Sequence, residues 1–123
     1  MKAMVVPLAS NEVEAWKAWI RECTGPRREE FDEFNERMGL TLHRAWLTQS
    51  SQGPLVIVVL DGPGAEDFMQ RMATSQEPFD MWFRERVSEI HEIDFSQPNA
   101  APPSELFMDW RAPSYAEMGE PAL

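Results

Sequence analysis

The sequence predicts a single α+β domain in which helices cover one face of an antiparallel sheet. Three observations lead to this prediction. Two strand-like segments, Leu40–Thr48 and Leu55–Asp61, follow each other across a turn-rich connection, which is typical of a β-hairpin. The second segment is apolar on both of its alternating faces, so it belongs in the middle of a sheet covered on both sides. Segments with helical spacing of apolar residues precede and follow the hairpin.

The length and charge of the chain exclude several classes of protein. Its 123 residues form one domain, which buries roughly two thirds of its unfolded surface. Lys and Arg number 11 against 21 Asp and Glu, and the resulting net charge of −10 repels nucleic acid and anionic membranes. No apolar run approaches the roughly 18 to 20 residues that span a bilayer. The single cysteine forms no internal disulfide, so we expect a soluble, cytoplasmic protein.

The segment before the hairpin begins with a strand and a helix. Met1–Leu8 is short, apolar on both faces and contains a proline near its end, which predicts a first strand buried in the sheet. Either Ser10 or Asn11 is expected to cap the next helix, because both side chains accept hydrogen bonds from the first helical N–H groups. The apolar residues of this helix recur at spacings of three and four, and it ends at Thr24.

A second helix is predicted to continue the same layer after a kink. Pro26 suits its first position, where the missing N–H is not needed, and Gly39 closes it. The outer side of this helix is charged, and we interpret it as a solvated face. Two favourable i, i+4 pairs are expected there, namely Arg28/Asp32 and Glu33/Arg37.

A second helical layer is predicted after the hairpin. The turn sequence Asp61–Gly64 leads into a short helix over Ala65–Ala73. Pro78 then opens a longer helix over Phe79–Ile93, whose apolar residues again follow helical spacing. Both helices are expected to pack on the sheet.

The C-terminal part is predicted to contain the last strand. Three prolines within residues 96–104 exclude regular structure, so we predict a loop there. Glu105–Arg111 alternates between apolar and mixed residues, as a strand with one buried face does. Residues 112–123 are predicted to form a tail that is either disordered or laid across a neighbouring molecule. The domain itself therefore spans residues 1–111.

The predicted order is strand, helix, strand, strand, helix, strand, which is the ferredoxin-like βαββαβ motif. Right-handed crossovers place both helical layers on one face of a four-stranded antiparallel sheet. The hairpin strands are apolar on both sides, so the other face of the sheet would expose a large hydrophobic patch in a monomer. We therefore predict a homodimer that forms through the open sheet face.

In this element order and in the two-sided hydrophobicity of its strands, Met1–Arg111 resembles the dimeric α+β barrel superfamily, whose small ferredoxin-like subunits pack sheet on sheet. Within it, the chain resembles small uncharacterised bacterial members and the group of antibiotic-biosynthesis monooxygenases and polyketide cyclases. The resemblance implies an apolar pocket between helices and sheet and chemistry without a bound cofactor. It also implies that the fourth strand of one subunit meets the second strand of its partner, where Arg44 and Asp109 are expected to pair.

His43 is the candidate catalytic residue, because imidazole exchanges a proton near physiological pH. It lies in the middle of a predicted strand and shares a face with Ala45 and Leu47. The alternative is a hydrogen-bonded structural histidine, since no second catalytic residue stands at a fixed spacing from it.

The opposite face of the same strand predicts a ligand-binding cleft. Arg44 and Trp46 lie on that face. Together with residues of the last strand they are expected to form an aromatic wall and a carboxylate-binding arginine. The alternative is packing at the dimer interface, where Trp and Arg are enriched. The candidate ligand-binding residues are Arg44, Trp46, Phe107, Asp109 and Arg111.

No motif in the sequence predicts a metal or a cofactor. His91 lies near acidic residues, but the paired His or Cys spacing of a zinc or iron site is absent. Cys23 has no base beside it in the sequence, and we interpret it as a packing residue. No phosphate loop or dinucleotide fingerprint occurs.

Two functions agree with these observations. One is a cofactor-independent monooxygenase-like or cyclase-like enzyme acting on an apolar, aromatic or polyketide-like metabolite. The other is a non-catalytic dimeric module that binds a ligand or another protein. The interior of the domain distinguishes them. An enclosed space of roughly a few hundred Å³ with His43, Arg44 or Asp109 pointing into it favours the enzyme, and a filled interior favours the module.

Overall fold

The framework of the molecule is an antiparallel sheet with helices packed on one face. The computed structural model describes residues 1–96 and 104–113. A single 3-10 turn, Ser10–Glu12, precedes the first helix. The elements run in the order β1 (Lys2–Pro7), α1 (Val13–Thr24), α2 (Arg28–Arg37), β2 (Leu42–Ser50), β3 (Gly53–Asp61), α3 (Phe68–Thr74) and α4 (Pro78–His91). The described residues thus form the mixed α+β fold that the sequence predicts.

The strand β3 lies in the centre of the sheet, between β1 and β2. It pairs antiparallel with both neighbours, and Val58 stands opposite Met4 on one side and Ala45 on the other. This central position agrees with its unbroken apolar run, because a strand with neighbours on both edges and side chains on both faces leaves little surface for water. The helices α1 and α2 connect β1 to β2 across β3, which is a split β-α-β arrangement.

The two faces of the sheet have different surroundings. Side chains on one face, such as Met4, Val56 and Leu60, are buried beneath the helices. The alternate positions carry apolar side chains that remain in contact with solvent, and Val5 is 53% and Trp46 48% exposed. We call this second surface the open face. It consists of the outward residues of β1, β2 and β3, among them Ala3, Val5, Arg44, Trp46, Ile57 and Val59.

Aromatic rings join the helices to one another and to the sheet. Phe83 of α4 stacks on Phe34 of α2 at 4.4 Å between ring centroids and contacts Trp19 of α1 at 4.8 Å. Burying each such side chain stabilises the fold by roughly 2 to 3 kcal/mol. Phe83 is therefore the point at which three of the four helices meet.

The predicted fourth strand is not formed. Glu105–Arg111 has no regular secondary structure, and its large apolar side chains are exposed, Phe107 by 91% and Trp110 by 77%. Alternation favours a strand only where the apolar row has a layer to pack against and the backbone has an edge to pair with. Neither contact is made here, so the sheet of the described residues has three strands and one edge of β1 has no neighbour. Residues 97–103 of the predicted loop and 114–123 of the predicted tail lie outside the described residues.

The helix ends agree with the sequence at some positions and differ at others. Ser10 and Asn11 do not cap α1 but lie in the 3-10 turn before it. Pro78 opens α4, as expected. Gly39, at a φ of 71°, ends α2, and its N–H donates to the carbonyl of Glu36 while the Leu40 N–H donates to that of Asn35. These two bonds satisfy carbonyls that the helix end would otherwise leave unpaired.

The ion pairs formed by charged side chains agree only in part with the prediction. Arg28 and Asp32 pair as expected, with 3.0 Å between Nε and Oδ1. Arg37, expected to pair with Glu33, instead binds Asp80 of α4, which is fully buried. Its Nη2 lies 2.5 Å from Oδ1 and its Nε 3.1 Å from Oδ2. The Ser75 hydroxyl donates to the same carboxylate at 2.6 Å, so this cluster connects α2 to the start of α4.

The loops before β2 and after β3 pack closely against each other, because Gly64 has no side chain to separate them. A side chain at Gly64 would place its Cβ 1.9 Å from the Met38 carbonyl oxygen, which no side chain tolerates. The Gly64 N–H donates to the Gly39 carbonyl at 2.9 Å. This contact fixes the end of α2 against the sheet, next to the start of β2. No helix among the described residues has both the length and the apolar character needed to cross a bilayer.

Candidate functional site

A cavity of about 270 Å³ lies between the covered face of the sheet and the helices. Its walls are predominantly apolar, with Trp16 and Trp19 from α1, Val56 and Val58 from β3 and Phe83 from α4. Ala45 of β2 also lines the cavity but is exposed, so the cavity opens to solvent beside β2. Such a space between helices and sheet has the shape and lining of a small-molecule pocket.

His43 lies in the wall of this cavity, where β2 begins. Alternation along the strand turns it toward the helices, opposite Leu60 of β3. Its Nδ1 lies 2.9 Å from the side-chain oxygen of Asn35, and because that oxygen only accepts, Nδ1 carries the proton. The other ring nitrogen, Nε2, then holds a lone pair. Within the described part of the chain Nε2 has no hydrogen-bond partner.

Burial determines the charge of His43. The ring contacts three phenylalanine rings, Phe31 and Phe68 at 5.6 Å and Phe83 at 6.4 Å between centroids. Removal from water penalises the imidazolium and lowers the pKa of His43 to about 4. At neutral pH the ring is therefore uncharged, and Nε2 is a hydrogen-bond acceptor and a weak base.

A second recess of about 330 Å³ adjoins the cavity along the outer edge of β2. Thr24, Phe31 and His43 line both spaces. The walls of this recess are more polar, and they include the Arg28/Asp32 ion pair and Asn35. His43 therefore stands at the junction between an apolar interior and a polar groove.

Two further groups of the cavity wall have shifted pKa values. Burial, together with the nearby Glu22 carboxylate and against the opposing charge of Arg27, raises the pKa of the Cys23 thiol to about 12. The thiol thus remains protonated, as expected of a packing residue. Burial also lowers the pKa of His91, whose Nδ1 lies 3.1 Å from the Pro7 carbonyl oxygen.

The two histidines stand at opposite ends of the sheet. His43 is level with Lys2 of β1, whereas His91 is held at Pro7, five residues further along that strand. Five residues of strand span about 16 Å. The histidines therefore do not form one catalytic pair, and among the described residues no three His, Cys, Asp or Glu side chains are grouped to hold a metal ion.

One buried polar atom of a residue that lines the cavity lacks a partner. Trp19 lines the cavity and is only 6% exposed, and its Nε1–H has no acceptor within the described part of the chain. A buried donor without an acceptor destabilises a fold by about 1 to 3 kcal/mol.

The structure places the predicted ligand-binding residues elsewhere. Arg44 and Trp46 lie on the open face, and Phe107 and Asp109 lie in the exposed segment after the helices. The Asp109 carboxylate lies 3.6 Å from Nε of Arg111 within the same chain. None of these five residues lines the cavity or the recess. A cleft that they line across two subunits, with an Arg44–Asp109 pair, stays a prediction.

The patterns in the sequence do not predict which polar residues lie near the cavity and the helix ends. Asn35 stands eight positions before His43 and meets it only because the chain turns sharply at Gly39. A polar residue one turn before a helix-ending glycine is the one sequence feature from which Asn35 could have been predicted. Trp19 belongs to the apolar residues of the first predicted helix, but their spacing gives no sign that its N–H lacks an acceptor. Asp80 lies in the predicted helix over Phe79–Ile93, and the spacing of that helix does not indicate that Asp80 is buried in an ion pair.

Comparison with known proteins gave no match to a protein-family model, to a curated protein or to a solved structure.

Proposed function

We propose that this protein binds an apolar, flat molecule in the cavity between its sheet and its helices. The observation that carries the proposal is an open interior of about 270 Å³ bordered by an uncharged imidazole. Natural interiors are otherwise closely packed, and an unfilled space lowers stability, so a retained space of this size favours a ligand. A dry cavity of roughly 150 Å³ holds benzene, and by that measure this one accommodates about two fused rings.

A cofactor-independent, monooxygenase-like or cyclase-like reaction on an aromatic or polyketide-like metabolite is the second candidate function. The position of His43 in the cavity wall and the resemblance to dimeric α+β barrel enzymes support it. Its low pKa restricts the chemistry, because such a weak base accepts protons only from acidic substrates. A monooxygenase of this kind would convert a CH₂ group and O₂ into a carbonyl group and water. Oxygen consumption with a substrate that carries such a CH₂ group, faster than without the protein and matched by formation of the carbonyl product with no added cofactor, would support catalysis over binding alone.

A homodimer belongs to the same proposal. We infer that a second copy of the chain covers the open face, because a monomer exposes both this face and the apolar side chains of residues 104–113. In a ferredoxin-like sheet the fourth strand lies beside the first, and among the described residues that edge of β1 has no neighbour. Glu105–Arg111 would then become the fourth strand on assembly. An interaction module that binds another protein through the same face is the alternative.

The proposed location is the cytoplasm. Cys23 is a free, buried thiol, and the described residues contain no disulfide. A reducing compartment suits this composition.

Isothermal titration calorimetry with bicyclic aromatic compounds tests the binding proposal. We expect the wild-type protein to bind tetralin and 1-tetralone with dissociation constants of roughly 1 to 100 μM, as suits about ten buried heavy atoms. Ala45→Phe places a ring in the mouth of the cavity and should weaken binding at least about tenfold. Ala18→Phe adds the same ring to an exposed position of α1 outside the cavity and should leave binding unchanged. Absence of binding to wild type, or equal binding by Ala45→Phe, would contradict the proposal.

A further inference from the structure

We propose that the molecule bound in the cavity is an uncharged, flat heteroaromatic compound of the indole class, whose ring N–H donates to Nε2 of His43. The inference rests on the proposed function, because it specifies the chemistry of the molecule that the same cavity binds. Two features of the wall point to this class. His43 offers an acceptor, and the other side chains of the wall offer almost no donor.

The acceptor is Nε2 of His43, which lies on the cavity side of the imidazole. The Asn35 side-chain oxygen accepts the Nδ1 proton at 2.9 Å, so Nε2 keeps its lone pair. Asn35 lines the recess and does not line the cavity, whereas His43 lines both. The two nitrogens of an imidazole point away from each other. Because Nδ1 faces Asn35 and the recess, Nε2 is turned toward the cavity.

Nε2 of His43 is also open to a small molecule. Among the described residues, Trp19 Nε1 is the buried side-chain nitrogen that is closed to water and lacks a partner. His43 Nε2 has no hydrogen-bond partner either, so a ligand atom has access to it. Burial of the imidazole lowers the pKa of His43 to about 4. At neutral pH this nitrogen therefore offers an unused, uncharged lone pair.

The polar side chains of the wall that are able to donate are almost all engaged elsewhere. The Thr24 hydroxyl donates to a carbonyl of its own helix at 2.8 Å. Nδ1 of His91 lies 3.1 Å from a backbone carbonyl oxygen, which accepts its proton. The Trp19 N–H is closed off from the cavity. Among the described side chains that line the cavity, this leaves the Cys23 thiol, which is a weak donor.

This set of polar groups selects a ligand that donates one hydrogen bond and accepts none. A carbonyl oxygen or a pyridine nitrogen would lose its water in the cavity without gaining a donor, which weakens binding. A hydroxyl group would donate to His43 and still bury its two lone pairs. A pyrrole-type N–H donates and does not accept, as the indole of tryptophan does. It therefore leaves no polar group of the ligand unpaired.

The surroundings of His43 favour an aromatic ligand without charge. Phe31 and Phe68 lie 5.6 Å and Phe83 lies 6.4 Å from the imidazole between ring centroids, and all three line the cavity. Aromatic rings that meet contribute beyond the area that they bury. No Lys, Arg, Asp or Glu side chain of the described residues lines the cavity. A charged group would therefore lose its hydration there without gaining an ion partner.

Calorimetric titration of a matched ligand series tests the inference. Indole, benzofuran and 7-azaindole share one bicyclic frame. Benzofuran carries an oxygen in place of the N–H, and 7-azaindole keeps the N–H and adds a pyridine nitrogen. We expect the wild-type protein to bind indole about fivefold more tightly than benzofuran, as one hydrogen bond contributes. 7-Azaindole should bind at least about threefold more weakly than indole, because its second nitrogen meets no donor. Indole-5-carboxylate should bind at least about tenfold more weakly than indole.

Histidine variants assign the preference to one side chain. His43→Phe removes the acceptor and should abolish the preference for indole over benzofuran. His91→Phe is the matched control, because it makes the same change in the wall of the same cavity about 16 Å away. This variant should keep the fivefold preference. His43→Leu also removes the acceptor and makes the same test if the phenylalanine variant does not fold.

The outcomes distinguish this inference from the proposed function. If wild type binds indole no more tightly than benzofuran, recognition by His43 is wrong, and binding of tetralin would still support the proposed function. If no bicyclic compound binds, tetralin included, both proposals are wrong. Tighter binding of 7-azaindole than of indole would reveal a free donor in the wall and overturn the inference. A preference for indole that persists in His43→Phe, or that is lost in His91→Phe, would also overturn it.

Discussion

His43 shows how burial changes the use of an imidazole. In water its pKa lies near physiological pH, and the ring takes up and releases a proton readily. Among three phenylalanine rings and with Nδ1 held by Asn35, the same group stays uncharged down to about pH 4. Its role at neutral pH is therefore to accept a hydrogen bond at a fixed place.

This lowered pKa predicts a specific loss of stability in acid. The unfolded chain protonates His43 near pH 6.5, whereas the folded chain does so only near pH 4. Protons therefore bind the unfolded state preferentially between these values, and the contribution of His43 to stability is lost as the pH falls through this window. Between pH 7 and pH 4.5 we expect the free energy of unfolding of wild type to fall by about 2 kcal/mol more than that of His43→Phe.

Urea denaturation of both proteins at a series of pH values measures this difference. His91 and the carboxylates titrate in both proteins, so subtracting the two curves leaves the contribution of His43. Parallel curves from pH 7 to pH 4.5 would show that the folded state protonates His43 as easily as the unfolded state does.

At the scale of residues, the sequence predicted the face on which a side chain lies better than the residues that it contacts. Alternation along β2 correctly placed His43, Ala45 and Leu47 on one face, because side chains on a strand alternate whatever lies above them. Asn35 was not predicted as the partner of His43, since the two meet only through the geometry of a helix end. The unpaired N–H of Trp19 depends on the position of every neighbouring atom, and no pattern in the sequence encodes it.

At the scale of elements, glycine, proline and apolar spacing predicted most of the fold. The seven elements of the described chain all correspond to predicted segments, with ends that differ by a few residues. The expected four-stranded ferredoxin-like sheet is only partly present, because Glu105–Arg111 has the alternation of a strand but does not pair with the open edge of β1. Local pattern determines whether a segment is able to form a strand, and pairing determines whether it does.

The cluster of Arg37, Ser75 and Asp80 predicts which charged residue matters for stability. Asp80→Asn leaves Arg37 without its buried carboxylate partner and places an uncharged amide beside the guanidinium and the Ser75 hydroxyl. We expect this variant to lose about 2 to 4 kcal/mol of unfolding free energy, at the lower end of buried ion pairs because Arg37 is partly exposed. Chemical denaturation measures the change.

Asp32→Asn is the matched control, because it makes the same substitution in an exposed pair. Asp32 contacts Arg28 on the outside of α2, where water screens the interaction. This variant should be indistinguishable from wild type. Equal stability of Asp80→Asn and Asp32→Asn would show that the buried cluster does not join α2 to α4.

At the scale of the whole molecule, the open face is the main feature that remains without a contact. It was predicted from strands that are apolar on both sides, and in the described chain no helix covers it. The partner on this face was not predictable in the same way, because the residues of one chain do not specify what lies beyond its surface. Assembly into a dimer therefore stays a proposal.

We expect light scattering to show a dimer for the wild-type protein at micromolar concentration and a monomer for Val5→Glu. Val5 lies on β1 in the open face, and a carboxylate there would be desolvated in any sheet-on-sheet contact. Ala18→Glu introduces the same charge on an exposed position of α1 and should remain a dimer. A stable wild-type monomer at these concentrations would contradict the proposed assembly. A Val5→Glu variant that remains a dimer would show that the dimer interface is not the open face.

The buried thiol of Cys23 has a chemical consequence for any occupant of the cavity. Aromatic hydroxy compounds oxidise readily to quinones, and quinones alkylate proteins when a thiolate adds to their ring. With a pKa of about 12, only on the order of one Cys23 thiol in 10⁵ is a thiolate at pH 7. A reactive electrophile held in the cavity would therefore alkylate Cys23 much more slowly than it alkylates an ordinary exposed thiol.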